Sequence, residues 1–341
     1  MLLDILYILL GLVLLVKGGD YLVDGSVAVA ERAKLSKMVI GLTVVGFGTS
    51  MPELLVSAQS ALVGNSGIAI GNVVGSNISN IALILGVTSL IHPIPSQRAT
   101  LRIDLPFMLI ASVLFVGVAL TGTIGRLAGV VGVLLLVAFV SYQVVESRRS
   151  YARGTEKDAQ CSMHNAQLNV SNDEGDNHAS CIENREPEQE PMPVWKALLF
   201  IVVSFAAMVF GADKLVEGAS DIASRLGVTD RIIGLTIVAV GTSLPELFAS
   251  VMAALKGETD MAIGNIIGSV TFNILCVVGI SSAITPIHDS NVGFVFDYAL
   301  MTLLGLLLWY FLRTNYKLER WEGVTLTAIY VIYIIRTIVA G

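Results

Sequence analysis

Long apolar runs, separated by short polar or glycine-rich breaks, occupy most of this 341-residue chain. They lie near residues 3–24, 38–62, 68–91, 103–121 and 125–145, and again near 195–220, 230–255, 262–287, 293–312 and 322–340. Each approaches the ~20 residues that carry a helix across a bilayer. The pattern predicts an all-α integral membrane protein with ten transmembrane helices. Residues also recur at a constant offset of 193, as in Asp20 and Asp213, Gly41 and Gly234, Glu53 and Glu246, Gly71 and Gly264, Ser76 and Ser269, Asn80 and Asn273, and Asp104 and Asp297. An internal repeat of this kind governs topology. With an odd number of spans per half, the second half enters the membrane from the opposite face, so the two five-helix repeats are inverted. The chain divides into a first repeat over 1–145 with its core near 38–91, a linker over 146–193, and a second repeat over 194–341 with its core near 230–287.

Composition agrees, with 54% hydrophobic and 14% charged residues and a mean hydropathy of +0.76. The net charge of −6 carries little information about partners, because Glu146 to Glu190 alone holds ten Asp and Glu. Nucleic-acid binding is not supported. Met1 to Val16 lacks a basic flank and contains Asp4, so it reads as a membrane helix and not as a signal peptide. Three cysteines, two of them in the linker, imply no disulfide framework. Lysine and arginine set the orientation, since positive loops favour the cytoplasm. With the amino terminus outside, fifteen fall on the inner side and only Arg126, Arg225, Arg231 and Arg336 on the outer. Both termini are therefore expected outside a cell membrane and the 146–193 segment in the cytoplasm.

The most informative repeat is GLTVVGFGTSMPEL, Gly41 to Leu54, which returns as GLTIVAVGTSLPEL, Gly234 to Leu247. It puts Glu53 and Glu246 inside spans, where a carboxylate costs about 2.5–3.5 kcal/mol and marks a functional site by default. Pro52 and Pro245 have no N–H to offer the carbonyls of Gly48 and Gly241. Freed backbone at membrane depth is tolerated where it lines a cavity, and matched Gly/Pro-broken spans in two halves point to a transporter's binding site. Ser50 shares a helix face with Glu53, and Ser243 with Glu246, while Thr49 and Thr242 add hydroxyls beside them. All are oxygen donors, the ligand type of hard cations such as Ca²⁺. Two carboxylates would neutralise one divalent ion.

The third span of each half adds a polar stripe, GNVVGSNISN from Gly71 to Asn80 and GNIIGSVTFN from Gly264 to Asn273. Ser76 and Asn80 share a face, as do Ser269 and Asn273. Glycines 71, 75, 264 and 268 form small-xxx-small patterns suited to close helix approach. Helix packing with interhelical hydrogen bonds is one reading of these stripes. Their duplication beside the glutamates favours ion ligation.

These paired GTSxPE and GNxxGSxxxN segments resemble the α-repeats of the cation/calcium exchanger superfamily, most like its prokaryotic sodium/calcium exchanger branch. The resemblance spans nearly all of the chain outside the linker. It implies alternating-access antiport of Na⁺ against Ca²⁺ at one central cluster. It assigns Glu53 and Glu246 as shared carboxylates, Thr49 and Thr242 as backbone-carbonyl ligands, and Ser50 and Ser243 as hydroxyl ligands. Ser76 and Ser269 would serve flanking Na⁺ sites and Asn80 would give an amide oxygen, with Gly46 and Ala239 as weaker carbonyl candidates. Asn273 stands where many members have aspartate, and Val270 replaces the asparagine that matches Asn77. Ca²⁺/H⁺ or K⁺-dependent Na⁺/Ca²⁺ exchange is the alternative, with a cation channel or an intramembrane hydrolase more remote. No cofactor and no obligate protein partner are expected, only the two ions and the bilayer. The second, third, seventh and eighth spans would form a fixed core against which the first and sixth move.

Other polar residues receive plainer readings. Asp104 and Asp297 are expected to cap the fourth and ninth spans or offset their dipoles. Asp20, Asp24, Asp213 and Glu217 are read as interfacial charge at the outer ends of the first and sixth spans, with Lys17 and Lys214 snorkelling or pairing with them. The linker reads as disordered, although Cys161, His164, His178 and Cys181 carry zinc-type ligands at a non-standard spacing.

Overall fold

The computed structural model describes residues 2–171, 192–227, 239–288 and 294–340, with the backbone alone over 154–171 and at 239 and 340. The Cys161, His164, His178 and Cys181 cluster lies outside the described side chains. The helices are α1 (Leu2–Ala33), α2 (Lys37–Thr49), α3 (Met51–Leu62), α4 (Ser66–Ile91), α5 (Thr100–Ala119) and α6 (Arg126–Ser171). The second half supplies α7 (Val194–Arg225), α8 (Ala239–Gly241), α9 (Leu244–Leu255), α10 (Thr259–Ile284), α11 (Val295–Asn315) and α12 (Arg320–Ala340). Among the described residues, 8 helices can each cross a bilayer, and α2 with α3 forms a further span bent by 45°. The tenth expected span, near 230–255, is represented by α8 and α9.

Burial sorts these helices into a centre and a periphery. The most apolar stretch of α10 is 94% buried and that of α4 72%, against 22–39% for the other unbroken spans. The third and eighth spans are therefore the protein's interior, and the peripheral helices carry the lipid-facing surface. Exposed Leu2, Leu127, Trp195 and Val339 belong to that surface, as expected where the solvent is hydrocarbon.

The inversion is visible in how the halves meet. α1 and α7 are repeat equivalents, yet they run antiparallel: Gly11 faces Gly211, Gly25 faces Ala197, and Gly218 faces Asp4. A Cβ at Gly11 would lie 2.5 Å from the Gly211 oxygen, so glycine lets the two backbones touch. Four short strands repeat the symmetry: β1 (Ile94–Pro95) pairs with β4 (Lys317–Leu318), and β2 (Thr123–Ile124) pairs with β3 (Ile287–His288). Each ribbon joins loops that ten-span threading puts on one face. The ion pairs Lys37–Glu258 at 2.6 Å and Arg225–Asp4 at 3.2 Å obey the same rule.

Several details differ from the sequence expectations. α1 and α7 each have 32 residues, or ~48 Å of helix, so they tilt or project beyond a ~30 Å hydrocarbon core. α6 continues to Ser171, so 146–171 is helical where the composition suggested a structureless linker. That stretch is rich in Glu, Lys, Arg, Ala and Gln, which favour helix without tertiary support.

Asp104 is not a cap. It ends a π-helical turn, Thr100–Asp104, with its own backbone already helical. Its buried carboxylate instead accepts a hydrogen bond from Gln143 of α6. Asp297 does sit in the first turn of α11.

The acidic pairs at the ends of α1 and α7 lie on opposite faces, because the helices are antiparallel. Asp20 and Asp24 bind Lys256, at 2.7 and 2.6 Å, in the α9–α10 turn. On the other face Glu217 binds Lys214 of its own helix at 2.5 Å.

Candidate cation-binding site

The site is built where two bent helices meet two central ones. Ser50 has φ −83° and ψ 4°, and Ser243 has φ −90° and ψ 4°. Both are in the bridge region that follows a helical turn without continuing it. Each is followed by a new helix with proline near its start, and Glu53 and Glu246 stand in those first turns. The acidic side chain thus sits at the positive end of its helix, which favours a carboxylate there. Glu53 and Glu246 are both 0% exposed.

Each glutamate helix is clamped to its neighbour by an asparagine. Asn72 Nδ2 donates to the Glu53 carbonyl at 3.1 Å and to Ser57 Oγ at 2.9 Å. Asn265 Nδ2 donates to the Glu246 carbonyl at 3.4 Å and to Ser250 Oγ at 2.9 Å. The two clamps are related by the 193-residue offset, but sequence reasoning passed over all four partners. The signal was present: Asn72 and Asn265 directly follow the repeated Gly71 and Gly264, and Ser57 and Ser250 share the offset.

Of the expected ligands, several are brought together directly. Ser76 Oγ donates to Glu53 Oε1 at 3.4 Å. Thr49 Oγ1 lies 3.3 Å from Asn265 Oδ1 and 3.4 Å from Ser269 Oγ, and Ser269 Oγ donates to the Gly46 carbonyl at 3.4 Å. The Thr49 hydroxyl and the Gly46 carbonyl are thereby occupied within the protein. The halves also meet electrostatically: the Glu53 charge acts on Glu246, Thr242 is near Glu53, and Thr49 and Ser50 are near Glu246 without reaching hydrogen-bond geometry. α3, which carries Glu53, packs on the π-helical turn Asn273–Val277, and α9, which carries Glu246, packs on the turn Ser79–Ile84. Such π-turns cluster at functional sites because they widen a helix locally. Here they fall at Asn80 and Asn273. Ala239 opens α8, just before the second bend.

A surplus of oxygen remains. Among the described residues, Glu53 Oε2, both Glu246 carboxylate oxygens, the Ser50 and Ser243 hydroxyls, both polar atoms of Asn80 and Asn273 Oδ1 are buried without a hydrogen-bond partner. A buried polar atom normally has one, and leaving it unpaired costs about 1–3 kcal/mol. So many unpaired oxygens around two carboxylates make a site complementary to a hard cation. The same residues offer no imidazole or thiolate, and so disfavour zinc or copper.

Among the described residues, the glycine stripe of the second half lies against a neighbouring backbone. A Cβ at Gly264 would lie 2.5 Å from the Met38 oxygen, so α10 lies directly against the backbone of α2. Gly75 meets nothing within 4 Å among the described residues, and 231–235, the repeat counterpart of 38–42, lies outside them.

A cavity of ≈ 640 Å³ is lined by Pro52, Thr242 and Pro245 of the two bends together with Asp213, Lys214 and Glu217 of α7. On the opposite face, Lys256 ties α1 to the α9–α10 turn. The glutamates themselves are covered.

Comparison with known proteins follows the same division into halves. The sodium/calcium exchanger protein family model matches residues 3–145 and 196–339. The putative antiporter CaxA of Alkalimonas amylolytica is 35% identical over 336 residues, 98% of each chain. The sodium/calcium exchanger MaX1 of Methanosarcina acetivorans is 36% identical over 97% of each chain. A solved structure of the sodium-calcium exchanger NCX_Mj, soaked with Na⁺ and Sr²⁺, superposes with a TM-score of 0.78 at 30% identity over 98% of each chain. Because the family model matches both halves of the chain, over residues 3–145 and 196–339, the chain belongs to the sodium/calcium exchanger protein family.

Proposed function

We propose that this protein is a Na⁺/Ca²⁺ antiporter of the cell membrane that binds both cations in turn at the cluster around Glu53 and Glu246. The observation that carries the reading is the pair of fully buried carboxylates on oppositely directed, proline-broken helices, surrounded by buried oxygens without protein partners. Ca²⁺ takes the two carboxylates with the carbonyls of Thr49 and Thr242. The hydroxyls of Ser50 and Ser243 and the amide oxygens of Asn80 and Asn273 complete its shell. Na⁺ uses the same carboxylates with Ser76 and Ser269 at flanking positions. The Thr49 hydroxyl is already spent on Asn265 and Ser269, which supports a role for its carbonyl.

Positive loops place the Lys256 face in the cytoplasm and both termini outside. The cavity beside Glu217 is then the outer approach to a site whose glutamates are covered. α1 and α7 touch each other through Gly11, Gly18, Gly25, Gly211 and Gly218. They move as a pair across the core made of α2, α3, α4, α8, α9 and α10, opening one face at a time.

The test is equilibrium Ca²⁺ binding to the purified protein at rising Na⁺. Competition at a shared site raises the Ca²⁺ half-saturation concentration while the number of Ca²⁺ bound per chain at saturation stays constant. A half-saturation unmoved by Na⁺ would overturn the shared site.

A further inference from the structure

The two polar stripes differ at one position, Asn77 in the first half against Val270 in the second. Asn77 has found a partner in the opposite half. Asn273 Nδ2 donates to Asn77 Oδ1 at 3.0 Å, and Asn77 Nδ2 faces the Met301 sulfur of α11 at 3.6 Å. Both asparagines are 0% exposed. A carboxamide carries its acceptor and its donors on opposite prongs of a rigid fork, and a thioether sulfur can only accept. With Met301 taking the Asn77 amino group, the Asn77 oxygen must face Asn273, and Asn273 must answer with its own amino group. The Asn273 oxygen is then turned away from Asn77, and it is one of the buried oxygens without a partner. It stands on the turn that packs against the Glu53 helix.

The symmetric arrangement is absent on the other side. By the 193-residue offset, the residue that would hold Asn80 is Val270, which is fully buried and has no polar atom on its side chain. Both polar atoms of Asn80 are accordingly unpartnered. A cation accepts oxygen and repels the hydrogens of an amino group, so an amide's orientation decides whether it is a ligand at all.

We propose that Asn77, held by Met301, is a positioning residue that fixes the Asn273 amide with its oxygen toward the transported cation. The inference rests on the cation-site reading given above. It makes Asn273 a preorganised ligand and leaves Asn80 an amide that no hydrogen bond orients, so the two halves contribute unequally. An aspartate at 273 would have no N–H to give Asn77, which ties the asparagine at 273 to the one at 77.

A double-mutant cycle on the full-length protein tests this, with Ca²⁺ binding and thermal unfolding both measured. Asn77→Val should weaken Ca²⁺ binding about tenfold in the wild-type background. In an Asn273→Ala background it should weaken binding by less than about twofold, because the residue it positions is gone. Met301→Leu preserves volume and releases the Asn77 amino group. It should weaken Ca²⁺ in the same direction, and lose its effect once Asn77→Val is present. Equal losses in both backgrounds, or a lowered unfolding temperature with unchanged Ca²⁺ affinity, would overturn the assignment of Asn77 alone. A wild-type protein that binds no Ca²⁺ would overturn the cation site and this inference together.

Discussion

Glu53→Gln and Glu246→Gln are each expected to cut Na⁺-driven Ca²⁺ uptake at least about a hundredfold, because breaking a buried ion pair costs about 3–5 kcal/mol. Glutamine keeps the shape of the side chain, removes its charge and turns one acceptor oxygen into an amino donor. Both carboxylates are 0% exposed, so neither can be replaced by water or screened by salt. One remaining carboxylate would leave a divalent ion half neutralised in a low-dielectric interior, where the desolvation cost of the ion is no longer offset. The clamps from Asn72 and Asn265 engage the main-chain carbonyls of the two glutamates and not their carboxylates, so the helices should stay in place. Initial rates in proteoliposomes, compared at equal amounts of folded protein, give the answer. Uptake within a few fold of wild type for either variant would remove that glutamate from the site.

Tying α1 to the core is expected to stop turnover altogether while Ca²⁺ binding persists. The natural position for the tie is the ion pair between Asp24 and Lys256, whose atoms lie 2.6 Å apart. These side chains are partly exposed, and such a pair by itself contributes only about 0–1 kcal/mol. A covalent bridge at the same place is a different matter, because it removes the movement itself. In a background lacking the native cysteines, Asp24→Cys with Lys256→Cys can be joined by a short bifunctional thiol reagent. Transport should fall to the liposome background on bridging and return when a cleavable bridge is reduced. Ca²⁺ should still bind through the cavity on the Glu217 face. Continued turnover with the bridge intact would mean that α1 does not move against the core.

The repeat carried most of the architecture, because duplication is a property of the letters themselves. The 193-residue offset, the odd number of spans and the matched Pro52 and Pro245 sufficed to expect inverted halves, and α1 lying antiparallel to α7 bears that out. Contacts between elements were harder to read. Asn72 and Asn265 looked like part of a packing stripe, and only their distances from Glu53 and Glu246 reveal clamps. Asp104 suggested a cap from its place near a helix start, but a π-turn rotates it toward Gln143, and π-turns leave no mark in hydrophobic periodicity. The acids at 20 and 24 follow the same logic as those at 213 and 217, yet inversion sends the two pairs to opposite faces. Val270 was legible as a loss of polarity, whereas its consequence needed the bond between Asn77 and Asn273.

Coupling is tested most directly by isotopic Ca²⁺ flux in proteoliposomes, with Na⁺, K⁺ and H⁺ gradients imposed one at a time. An outward Na⁺ gradient alone should drive Ca²⁺ uptake against its own gradient, and the K⁺ and H⁺ gradients alone should not. Uptake driven by H⁺ without Na⁺, uptake that requires K⁺ beside Na⁺, or Ca²⁺ flux far above carrier rates with no counter-ion would contradict Na⁺/Ca²⁺ antiport.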